Sequence, residues 1–378
     1  MAASAHVDTF ARDRLPAPAD QPEFLFELPE LQFPARLNCA AELLDKRIVQ
    51  GWGERRCVIA PDGTVWTYAE LRAQANRIAN VLVHDMGLVP GNRVLLRAAN
   101  SPVLAACWFA VMKAGGIAVG TMPMLRAREL AQIIEKAQVS HALCDAALAD
   151  ELAQAAAAAP ALREVRHFGT TAECGLEARM ARQSDQFSTV ETAADDVCLL
   201  AFTSGTTGQP KATMHFHRDV MAACVCFPPH VLRASADDVF IGSPPLAFTF
   251  GLGGLLLFPM HVGAATVLLA KASPPDLLEG IARHGATVLF TAPTSYRAMA
   301  PAARERKLSV GQGGTLRKCV SAGEALPAAT RTLWREATGI ELIDGIGATE
   351  LLHIFISHDE AHARPARPAS RSPATARA

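Results

Sequence analysis

The chain has 378 residues, half of them hydrophobic, enough to bury a sizeable core and to form two or three domains rather than a disordered polymer. Lysine and arginine number 36 against 37 aspartate and glutamate, so at a net charge of −1 no global field draws the protein to nucleic acid or anionic lipid, and small molecules are the expected partners. The nine cysteines are scattered, and Cys224 and Cys226, the one close pair, lack a zinc-type spacing; a reduced cytoplasm suits them.

The first residues carry Asp8, Arg12, Asp13 and Arg14 where a signal peptide would be apolar, so residues 1–34 read as an N-terminal arm and the mature chain is expected to start at or near Met1. Thr67 and Glu70 have the spacing of a capping box. Leu71, Ala75, Ile78 and Leu82 then recur at helical spacing until Gly87 and Pro90 stop the run. A strand follows at 93–96, an apolar helix at 103–113, a break at Gly115 and Gly116, and a strand at 117–119. Residues 129–137 read as a helix leading into a strand at 141–144, and the Ala-rich stretch 148–159 as a surface helix. This alternation argues for an α/β fold, a parallel sheet with helices on both faces.

At 200–211 an apolar run opens onto Thr203, Ser204, Gly205, Thr206, Thr207 and Gly208, and closes with Lys211. Glycines let backbone N–H groups turn toward an anion, hydroxyls add donors, and the lysine adds a mobile positive charge, which together make a phosphate cradle. Gly208 and Lys211 are separated by two residues, so the spacing is not that of a P-loop NTPase. A plain glycine-rich turn between two strands is the alternative. His215 and His217 fall on one face of a strand by their spacing, with no third ligand near in sequence, and receive no catalytic role.

Residues 241–260 carry no charge and are long enough to span a bilayer, but Pro244, Pro245, Pro259, Gly242, Gly251, Gly253 and Gly254 would break a helix in lipid. A buried strand and loop is expected instead. Strands at 266–269, 287–290, 318–320 and 341–343 follow, several ending in chemically loaded segments at 291–294, 321–324 and 344–347. Open parallel sheets collect ligands at the carboxyl ends of their strands. Two interwoven subdomains are expected, at about 35–190 and 191–357. Beyond them periodicity is lost, and 358–378 reads as a disordered tail.

Residues 203–211 resemble the phosphate-loop signature of the adenylate-forming superfamily, which includes acyl-CoA synthetases, peptide-synthetase adenylation domains and luciferases. Residues 344–350, Asp-Gly-Ile-Gly-Ala-Thr-Glu, resemble a second motif of the same superfamily. The resemblance implies its large N-terminal domain, with stacked, mostly parallel sheets flanked by helices. It also implies that Thr203, Lys211, Thr349 and Glu350 are the catalytic set, Glu350 holding Mg²⁺ against the triphosphate and Thr349 touching the α-phosphate. Ser204, Gly205, Thr206, Thr207 and Gly208 would then cradle phosphates, and Gly323, Glu324, Ala325, Asp344, Gly345 and Ile346 would line the nucleotide.

Ile346 stands where most of the superfamily has a tyrosine. Together with residues 351–357 it resembles the benzoate and aminobenzoate CoA ligase branch, a likeness running from about residue 24 to 357. In that branch the ring rests against positions matching Phe248, Thr249, Phe250, Ala322, Gly323, Gly347, His353 and Ile354. These side chains suit a flat apolar ligand; on their own, Phe248, Phe250 and His353 would read as core residues. Thr249 and His353 are the polar handles, which favours 2-aminobenzoate over benzoate. The implied activity is ATP-dependent conversion of an aromatic acid to acyl-AMP and then to acyl-CoA, with ATP, Mg²⁺ and coenzyme A, in the cytoplasm.

The superfamily's ribose aspartate, hinge arginine and small C-terminal domain with its lysine have no counterpart here. The expectation is a chain without that domain, frameshifted near Pro365, because a shifted frame over 366–377 can encode a continuation that resembles the family's. Nucleotide and aryl acid would then bind weakly, with little turnover. A catalytically dead nucleotide and aryl-acid binding remnant is the alternative from another class. A peptide-synthetase adenylation domain would place an aspartate near 248–251, where there is none.

Overall fold

A computed structural model describes residues 2–203 and 210–363, and within them the alternating strands and helices form two units, each built on its own sheet. The first unit comprises Met1–Glu23, Phe33–Gly53 and Tyr68–Met221. Its six strands lie in the order Glu164–Phe168, His141–Asp145, Arg93–Arg97, Ile117–Thr121, Val197–Thr203 and Lys211–Phe216. All pair in parallel except the last two, which are antiparallel.

The apolar run after Ser101 becomes the helix Pro102–Lys113, started by a proline in its first turn and by the Ser101 side chain, which accepts from the Leu104 N–H at 3.2 Å. Every residue from Leu104 to Lys113 is buried, and the Lys113 ammonium is paired with Asp45. The helix Ala127–Ala137 instead buries a stripe, Leu130, Ile133, Ile134 and Ala137, against Leu95, Ile117 and Val119 of the sheet. Residues of the expected N-terminal arm are tied to this unit: the Ala5 N–H donates to Asp196 at 2.9 Å, and Asp8 is paired with Arg93.

The second unit comprises Phe24–Gln32, Glu54–Thr67 and the described part of Ala222–Ala378. Its eight strands run in the order Ile354–Ser357, Leu342–Gly347, Lys318–Ser321, Val288–Thr291, Val239–Gly242, Ala265–Val267, Arg56–Ile59 and Val65–Thr67. The inner strands are parallel and the two edge pairs antiparallel. Residues 221 and 222 fall in different units. The strand-and-helix alternation thus produces the α/β architecture its periodicity implies, with mixed, mostly parallel sheets flanked by helices. Residues 364–378, the bulk of the expected tail, lie outside the described residues.

Two local expectations need correction. After the strand Val239–Gly242, residues 249–262 are helical, as Thr249–Leu252, a π-turn at Gly253–Leu257 and Phe258–Val262, where a loop was expected. Pro259 stands in the first turn of Phe258–Val262. The glycines admit neighbours: a Cβ at Gly254 would lie 2.5 Å from Phe290 Cδ1. Among the described residues no helix is long and apolar enough to cross a membrane. His215 lies in the strand Lys211–Phe216, but His217 opens the helix His217–Phe227, so the two do not share a strand face.

Candidate active site

In the first unit the strands that flank the expected phosphate cradle in sequence, Val197–Thr203 and Lys211–Phe216, pair antiparallel. Thr203 and Lys211 are directly opposed in register at the end of that pair. Residues opposed in this way project from the same face of a ribbon, so the threonine hydroxyl and the lysine stem leave on one side. Thr203 is half-buried and Lys211 exposed, while Val197 to Ala201 are buried and anchor the base. Thr213 Oγ1 donates to the Ala201 carbonyl at 3.2 Å. Ser204, Gly205, Thr206, Thr207 and Gly208 lie outside the described residues.

In the second unit parallel strands run in register, Phe290 beside Gly242, Thr291 beside Ser321 and Ser321 beside Asp344, and of these Asp344 is an expected site residue. Ser243 and Thr291 hydroxyls are 2.6 Å apart along this edge. Ala322 is buried; Gly323 follows at φ +91°, a conformation that favours glycine, with nothing within 4 Å of where a Cβ would stand. Glu324 and Ala325 are exposed. The half-buried Asp344 carboxyl is pushed up by burial, against the pull of Arg331 and His358. Its backbone is fixed from both sides. The Asp344 N–H donates to His358 Nε2 at 3.3 Å, and Ser357 Oγ donates to the Asp344 carbonyl at 2.8 Å.

Ile346 is 49% exposed and Gly347 is also open, and the chain then turns through Thr349–Leu351, presenting the Glu350 carboxylate to solvent. Thr349 is half-buried. Leu352 takes φ +65°, an uncommon conformation for a branched residue, as the chain passes from exposed Leu351 to buried His353.

The aromatic positions form a graded surface. Phe248 is 49% exposed, Thr249 and Phe250 are half-buried, and Ile354 is buried. His353 is buried among rings, with Phe258 at 4.5 Å and Phe227 and Phe250 each at 5.5 Å between centroids. Burial pushes the His353 imidazole down to about 3, partly opposed by the Phe250 carbonyl, so it is neutral. With Nε2–H donating to the Phe250 carbonyl at 3.3 Å, Nδ1 is left as a buried acceptor without a partner. Small residues fit closely here. A Cβ on Gly345 would lie 2.5 Å from Ile354 Cγ2, and one on Gly347 would lie 3.2 Å from the His353 carbonyl oxygen.

Sequence reasoning missed the ring cage of Phe227, Phe258 and Phe290 and the role of Gly253, whose Cβ would strike the His353 ring. The paired Gly253 and Gly254 in an apolar run were the available signal, and they were read as helix breakers.

Residues 45–376 match the family profile described as AMP-binding enzyme. The chain is 31% identical over 334 residues to benzoate–CoA ligase of Thauera aromatica, an alignment covering 87% of this chain and 62% of that protein. It is 32% identical over 300 residues to anthranilate–CoA ligase of Pseudomonas aeruginosa, covering 77% of this chain and 54% of that one. The chain therefore spans about three fifths of the length of the curated relatives it matches. The crystal structure of the anthranilate CoA ligase AuaEII with anthranoyl-AMP superposes with a TM-score of 0.84 at 29% identity, covering 92% of this chain and 66% of that one. A benzoate CoA ligase from Burkholderia xenovorans superposes with a TM-score of 0.79 at 25% identity, covering 89% and 66%.

Proposed function

The chain belongs to the AMP-binding enzyme family, and on that premise we propose that it is an AMP-forming acid–thiol ligase that activates an aromatic carboxylic acid with ATP, first to the acyl adenylate and then to the CoA thioester. The carboxylate oxygen of the acid attacks the α-phosphorus and pyrophosphate departs; the thiol of coenzyme A then displaces AMP. Charge accumulates on the α-phosphoryl oxygens and on the leaving group, so fixed donors and cations are what the site must supply.

In this reading Thr203, Lys211 and the turn between them, Ser204, Gly205, Thr206, Thr207 and Gly208, hold the phosphates. Thr349 donates to the α-phosphate. Gly323, Glu324 and Ala325, with Asp344, Gly345 and Ile346, face the adenine largely through backbone. Glu350 offers the exposed hard oxygen that Mg²⁺ takes, and the residue type fits that ion. When bound, magnesium neutralises charge on the departing pyrophosphate.

The observation that carries the aryl assignment is His353, a neutral imidazole among phenylalanine rings with one acceptor unpaired. Phe248, Thr249, Phe250, Ala322, Gly323, Gly347 and Ile354 complete the proposed slot for a flat ring. An ortho amino group donating to Nδ1 satisfies it, while unsubstituted benzoate leaves it orphaned at a cost of about 1–3 kcal/mol. The reading favours 2-aminobenzoate by about 5- to 150-fold in affinity on that basis. Exchange of labelled pyrophosphate into ATP, measured with each acid, is the test. Exchange that depends on an aryl acid and is stronger with 2-aminobenzoate supports the reading. Folded protein that binds ATP and aryl acid without any exchange identifies a binding protein instead.

A further inference from the structure

Three donor side chains that the adenylating chemistry does not use meet in the core of the first unit. Cys39 follows Asn38 at the start of a helical segment, Cys198 lies on the strand Val197–Thr203, and His217 opens the helix after Lys211–Phe216. Cys39 and Cys198 are fully buried and His217 is 1% exposed. The two sulfurs and the imidazole nitrogen all lie within 4.8 Å of one another. The backbone N–H of Cys39 donates to His217 Nδ1 at 3.1 Å, so that nitrogen carries a lone pair rather than a proton, and the same atom is 3.2 Å from Cys39 Sγ; a metal bound through Nδ1 would replace this hydrogen bond.

We propose that Cys39, Cys198 and His217 form a binding site for a thiophilic divalent cation, Zn²⁺ in the first instance. Two thiolates and a neutral imidazole are a donor set zinc takes readily, with Zn–S of about 2.3 Å and Zn–N of about 2.0–2.1 Å. Those bonds place nitrogen and sulfur roughly 3.5 Å apart in a tetrahedral shell, so His217 Nδ1 and Cys39 Sγ need to separate by only a few tenths of an ångström. Charge also balances. Two thiols lose their protons to solvent on binding, and the two negative sulfurs neutralise the ion, leaving no net charge in a buried site. The three residues supply three of four positions, with water for the fourth. Harder cations such as Mg²⁺, which take oxygen donors, are excluded by the sulfurs.

The site would join the segment at residue 39 to both strands of the phosphate-loop hairpin, through Cys198 on one and the residue following the other. Because all three donors are buried, loading accompanies folding or a local opening of the 38–45 segment.

Co²⁺ serves as the probe, added in reducing, oxygen-free buffer to the full 378-residue chain, both folded and during refolding. The expected result is a thiolate-to-cobalt charge-transfer band saturating at one equivalent, displaced by Zn²⁺ and at least tenfold weaker in Cys198→Ala and His217→Gln. Cys174→Ala, which changes an exposed thiol, should leave the band intact. Absence of the band in the wild type, or its persistence in both site variants, overturns the proposal. X-ray absorption of the zinc-loaded wild type needs no variant to fold: two sulfurs at about 2.3 Å and a nitrogen near 2.0 Å support the site, and an oxygen-dominated shell contradicts it.

Discussion

Replacing Gly253 with alanine puts a methyl group against a ring that has nowhere to go. The built Cβ lies 3.0 Å from His353 Nε2 and 3.2 Å from Cγ, with Cδ2 nearer still. His353 is itself fixed by the Phe250 carbonyl and by the rings of Phe227, Phe250 and Phe258. Gly253 sits in helical backbone at φ −63°, so alanine brings a favourable backbone term of about 0.5–1 kcal/mol. Overpacking of a closed core costs about 1–3 kcal/mol, and here the displaced group also loses its hydrogen bond, worth about 0.5–1.5 kcal/mol. The net expectation is a loss of about 1–3 kcal/mol. Urea unfolding followed by tryptophan fluorescence measures it, with Gly311→Ala as the control because nothing lies within 4 Å of its Cβ. A shift in midpoint for Gly253→Ala no larger than that of the control would refute the packing argument.

Two further predictions concern charge. His353 is held down to about 3 when folded and titrates near 6.5 when unfolded, so below pH 6.5 the unfolded chain binds a proton that the folded chain does not. Stability is therefore lost as pH falls from 6.5 toward 3, at up to about 1.4 kcal/mol per unit from this group. His6 and His141 are lowered by burial as well and act in the same direction. The pH slope of wild type minus that of His353→Gln isolates the one residue, and identical slopes would contradict its buried neutral state. Lys211 is exposed, so Lys211→Ala should leave the unfolding midpoint unchanged while lowering aryl-acid-dependent pyrophosphate exchange by about 10²- to 10³-fold. An unchanged exchange rate would remove it from the phosphate site.

The periodic elements were legible because each carries its own signal. Alternating apolar runs and 3.6-residue stripes mark the strands and helices of 93–145 regardless of what packs on them, and the hairpin around residues 203 and 211 is bounded by strand-forming residues on both sides. The helical stretch 249–262 was not legible, because proline and glycine report what a backbone can do alone and not that Phe290 and His353 require close approach. The Cys39, Cys198 and His217 cluster was hidden for a related reason. Its members are far apart in the chain, with Cys39 and His217 separated by 178 positions, so no local spacing announces them. His353 is legible as a polar residue in the expected aryl slot, but its burial, its tautomer and its orphaned nitrogen depend on four rings contributed by three separate segments.

The central claim is that the turn between Thr203 and Lys211 and the carboxylate of Glu350 serve one nucleotide. Diffraction from crystals grown with magnesium, a non-hydrolysable ATP analogue and 2-aminobenzoate tests it most directly. The account predicts a single triphosphate contacted by the 203–211 turn, with its metal taking a Glu350 oxygen and the aryl ring lying against Phe248 and Ile354. A nucleotide touching only one of these elements, or the two facing different sides of the molecule, would contradict it.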